Sequence, residues 1–64
     1  MYILTYNDKP ISKGSRSNNV KTLSGNIKSL IGMKMIKSYP TEQKALVEKD
    51  KYNWTSQEVR LLEI

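Results

Sequence analysis

Sixty-four residues with no cysteine and no histidine make one domain, residues 1–64, that can hold neither a disulfide framework nor a thiolate or imidazole metal site and that lacks the usual general base. The net charge of +5 is unevenly placed: residues 1–41 carry seven basic groups against Asp8 alone, whereas residues 42–64 carry four basic and five acidic groups. Enzymatic function is therefore not expected, nor is any cofactor or metal, and the basic first two thirds points to a polyanion, nucleic acid or an acidic protein surface, as well as to plain solubility.

The start of the chain has no basic segment ahead of its apolar residues, and no stretch approaches the roughly 20 apolar residues that span a bilayer. A soluble, cytoplasmic protein with no membrane partner is expected. Residues 2–6 alternate Tyr2, Leu4 and Tyr6 with Ile3 and Thr5, a strand pattern. Asn7, Asp8, Lys9 and Pro10 are turn chemistry, and a short return strand over 10–12 would complete a hairpin, on a sheet edge because of its proline.

Residues 13–19, K-G-S-R-S-N-N, contain no apolar side chain and read as a mobile loop. Val20, Leu23, Ile27, Leu30 and Ile31 then follow at helical spacing, predicting a helix over 18–31 capped by Ser17 or Asn18 and ended at Gly32. Gly25 weakens that helix by about 1 kcal/mol relative to alanine. The loop would open onto the helix N-terminus, where Lys13, Arg16 and the backbone at Gly14 suit an anion. The nucleotide-binding pattern G-x-x-x-x-G-K-[ST] is absent, so nucleotide hydrolysis is not supported.

A strand is predicted over 33–39, with Met33, Met35 and Tyr39 on one side and Ile36 on the other, exposed or partly packed. The clearest helix follows Pro40: Thr41 is its N-cap, Glu42 lies in its first turn, and Lys49 and Lys51 complement its negative end. Ala45, Leu46 and Tyr52 define its apolar stripe, Val47 projects outside it, and Asn53 is expected to end it in a left-handed conformation before Trp54 opens a loop. Residues 59–64 carry apolar groups on both faces and read as a central strand. The order β-(β)-α-β-α-β predicts a two-layer α+β domain, a small mixed sheet of three to four strands with two helices on one face.

Two sets of residues are candidates for function. Lys21 and Lys28, seven apart, would share one azimuth of the first helix, and with Lys13, Arg16, Lys34 and Lys37 they would form a strip that tracks phosphates of a nucleic acid. Val47, Tyr52 and Trp54 are candidates for protein contact, since tyrosine and tryptophan dominate interface hot spots and Met33 and Met35 suit adaptable surfaces. In a chain without phenylalanine, its five aromatics must also fill the core. No carboxylate pair is spaced for acid and base work, and no calcium-loop spacing is present.

The opening Y-I-L-T-Y-N-D-K-P and the later I-K-S-Y-P-T-E-Q-K-A-L, in a short chain rich in lysine and asparagine, resemble the small early proteins of tailed bacteriophages. That resemblance implies a protein that inhibits or redirects a host enzyme, or counters a defence system, by binding. A host protein is thus the first expected partner, with a basic nucleic-acid-binding protein as the alternative. Self-association is a third expectation, motivated by a small core and an exposed strand edge.

Overall fold

In the computed structural model, which describes residues 1–52 and 58–64, the chain is built around its first strand. β1 (Tyr2–Tyr6) is the middle of a three-stranded antiparallel sheet, between β2 (Lys9–Pro10) and β3 (Val59–Glu63). Asn7 and Asp8 take φ of 52° and 66°, the twist of a two-residue hairpin loop, and their short polar side chains tolerate it. The expected hairpin is present, but its return strand begins at Lys9, inside the expected turn, instead of at Pro10. Pro10 sits opposite Thr5 in β2, outside the central strand, as a residue without an N–H requires.

The ladder alternates cleanly. Ile64 N donates to Met1 O and Asn7 N to Glu58 O, so the odd residues of β1 face β3. The even residues face the other way, where Ile11 N donates to Leu4 O and Tyr2 exchanges two bonds of 2.8 Å with Tyr39. Tyr39 therefore prolongs the line of β2, and β1 is paired along both sides.

Because successive strand residues point to opposite faces, the adjacent Ile3 and Leu4, both buried, belong to different cores. Leu4, Ile11, Ala45 and Val59 form one, with α2 (Glu42–Lys51) packed on it. Ile3, Leu30 and Ile36 form the other, with α1 (Ile27–Gly32) packed there. The domain is α+β as expected, but its helices cover opposite faces of the sheet, not one face of a two-layer arrangement.

α2 starts as its sequence dictates. Thr41 Oγ1 accepts from Lys44 N at 3.2 Å, with Glu42 in the first turn and Lys49 and Lys51 in the last. Ala45 is fully buried, and its small side chain lets the helix approach the sheet closely; Leu46, expected in the buried stripe, is exposed instead.

Other expectations are corrected. The helix over 18–31 is only its last turns: Ser12 N donates to Lys21 O and Leu23 N to Pro10 O, so residues 21–23 lie along β2 and the tertiary ladder outweighs the local spacing. Gly25 has φ of 131°, which no helix contains, and Asn26 Oδ1 caps α1 by accepting from Ser29 N at 3.2 Å. The left-handed residue after α1 is Lys34, φ 59°, not Gly32.

Residues 33–39 form no strand, only isolated bridges at Ile36 and Tyr39. Their burial is the reverse of the expected alternation: Ile36 is 4% exposed and Met35 42%. Without that strand the described sheet is wholly antiparallel, and β3 lies at its edge, not its centre. The expectations for Asn53 and Trp54 lie outside the described residues.

Candidate binding surface

The turn after β2 gathers the positive charge. Ser12 N reaches Lys21 O at 2.7 Å, Lys13 N reaches Met35 O at 2.9 Å, and Ser12 bridges Ile36. Ser15 closes the turn with its hydroxyl, which donates to Lys21 O at 2.8 Å and accepts from Lys21 N at 2.7 Å. Ser12 Oγ accepts from Gly14 N at 3.3 Å, and Arg16 exchanges backbone bonds with Asn19. Ser15 is buried without leaving its hydroxyl unpaired, so this serine is structural.

These bonds draw the backbone at Ser12 and Lys13 against Lys21, Met35 and Ile36, so that Lys13, Arg16, Lys21, Lys34 and Lys37 sit on chain segments that meet at this turn, all with exposed side chains. They do so through tertiary pairing rather than along a helix face, since Lys21 is not helical. Lys28, on α1, is elsewhere; it lines an open cleft with Leu62 and Ile64 beside β3. Of the six cations proposed as one strip, five thus lie on the segments that meet at this turn, which we call the shelf, and Lys28 lies apart.

Beside the shelf is a small cavity of about 20 Å³, lined by Ser12, Lys13, Lys37, Tyr39 and Tyr52. That volume holds about one water, not a ligand. Lys37 Nζ lies 3.7 Å from Glu48 Oε1 and 5.9 Å from the Tyr52 ring centre, with Lys51 Nζ 5.6 Å from the same ring. Tyr52, a candidate contact, is thus half-buried against the core and bracketed by cations. Burial, then the negative charge of Glu48 and the neighbouring Tyr52, push the Tyr39 hydroxyl up to about 12.

Val47, the second contact candidate, is 62% exposed on the outer face of α2. It lines a surface groove with Tyr39, Lys44, Glu48 and Lys51. Tyr39 and its neighbour Glu48 therefore join the shelf to the outer face of α2. Trp54, the third candidate, lies outside the described residues. The pair Ser12 and Ser15 was missed as an organiser, although two serines three apart around Gly14 are a recognisable turn signal.

Among the described residues, no group of three or more acidic side chains is placed to hold a metal, and no helix is long and apolar enough to cross a membrane. Comparison with family models, with curated proteins and with solved structures finds no match to this chain.

Proposed function

We propose that this is a non-enzymatic binding protein that docks on an acidic surface of a host protein and blocks or redirects it, as its resemblance to small phage proteins implies. The observation that carries the reading is that the segments bearing Lys13, Arg16, Lys21, Lys34 and Lys37 meet at the turn around Ser12 and Ser15, with Lys37 already paired to Glu48. Those cations come from separate stretches of the chain, and a solvated charge run needs no such gathering. Exposed Val47 and Leu46 on the adjoining helix add apolar contact area beside the charge. A mixed surface of this kind suits a protein partner, where apolar contact supplies affinity and charge supplies steering and register.

The same five cations favour a second reading, contact with nucleic-acid phosphates. The two differ in salt response and in what they capture. Phosphate binding predicts affinity for unrelated oligonucleotides that falls with a log–log slope of about −0.7 to −0.9 per phosphate neutralised. The protein reading predicts little oligonucleotide binding and a stoichiometric partner retained from nuclease-treated host lysate. Recovery of oligonucleotide alone would replace the first reading with the second.

A further inference from the structure

We propose that the outer edge of β3 pairs antiparallel with the same edge of a second copy, giving a continuous six-stranded sheet. The even residues of β3 spend their backbone groups on β1, as the bonds at Glu58 and Ile64 fix. The N–H and C=O groups of Val59, Leu61 and Glu63 therefore point outward. Among the described residues nothing pairs with them. The opposite edge of the sheet is closed, because residues 21–23 lie along β2, so β3 is the edge left open.

Geometry then selects the register. A two-fold axis normal to the sheet must place residues of like facing opposite each other, and pairing about Leu61 does so. Val59 meets Glu63 of the copy, Leu61 meets itself, and all six outward groups of each strand are used. On the other face Leu62, 39% exposed, comes against the stem of Arg60 in the copy.

Charge selects the occupant. At this edge Arg60 and the nearby Lys28 balance Glu58 and Glu63, so it does not attract the acidic partner that the basic shelf takes, and it carries no net charge to repel its own copy locally. Each whole chain carries +5, so self-association strengthens as salt rises, the reverse of polyanion binding.

The test is sedimentation of the full chain over a concentration series, with residue-resolved amide exchange. The expected result is a dimer favoured by salt, in which the amides of Val59, Leu61 and Glu63 slow with concentration while those of Leu62 and Ile64 are protected throughout. N-methylation of Leu61 in a synthetic chain removes one donor per copy without touching the β1 ladder, and should weaken dimerisation about 30-fold. Should that chain fail to fold, Leu62→Lys, an exposed change that sets lysine against Arg60, should weaken it too. A monomer at the highest concentration, or a dimer in which the three amides exchange as in the monomer, overturns the proposal.

Discussion

Ile36→Ala separates the observed packing from the alternation that the local sequence suggests. Ile36 is 4% exposed in the core shared with Ile3 and Leu30. Truncation removes three carbon groups at about 0.8 kcal/mol each, and the cavity left behind brings the cost to about 3 kcal/mol. A domain of 64 residues has only about 3–10 kcal/mol in total. At a urea slope of about 1 kcal/mol per molar, the unfolding midpoint should fall by about 3 M, and the milder Ile36→Val by about 1 M. Met35→Ala, at an exposed side chain, should cost under about 0.5 kcal/mol. Urea unfolding followed by circular dichroism reads all three variants. If Met35→Ala proves as costly as Ile36→Ala, the packing of residues 33–39 described above is wrong.

Ser15→Ala should cost about 1–3 kcal/mol, because the Lys21 amide loses its acceptor in a part-buried turn; a neutral result in thermal unfolding would contradict the structural role given to that hydroxyl. Thr41→Ala should cost about 1 kcal/mol through the lost cap on Lys44 N, visible as a lower helix signal and midpoint. The raised Tyr39 hydroxyl favours its protonated form in the fold, so its contribution is complete below pH 10 and lost as pH climbs toward about 12. Tyr39→Phe should flatten stability across that window and remove the tyrosinate absorbance that grows in near pH 12; an unchanged alkaline slope would show that other groups set it.

What was legible in the sequence was what local chemistry decides. The hairpin at Asn7 and Asp8, the strand over 2–6 and the Thr41 cap each rest on a residue type whose backbone preference acts within a few positions. What was not legible depends on distant partners. Val20, Leu23, Ile27, Leu30 and Ile31 have helical spacing, yet Val20 packs on one face of the sheet and the other four on the opposite face. Only the ladder to Pro10 and Ser12, together with Gly25, reveals the break. The same pairing explains the binding surface. Each of the six cations was visible as a charge, but their division into a shelf and the outlier Lys28 follows from how the bridges at Ser12 fold residues 21 and 36 together.

The most direct test of the central claim compares capture from nuclease-treated host lysate by the unaltered chain, by Lys13→Glu with Lys21→Glu, and by Lys28→Glu. All three substituted side chains are exposed, and the turn is held by the backbone of Lys13 and Lys21, so the fold should persist in each. One stoichiometric protein should be retained by the unaltered chain and by Lys28→Glu, and released by the double substitution. Retention of that protein by the double substitution, or its loss with Lys28→Glu, would contradict that claim.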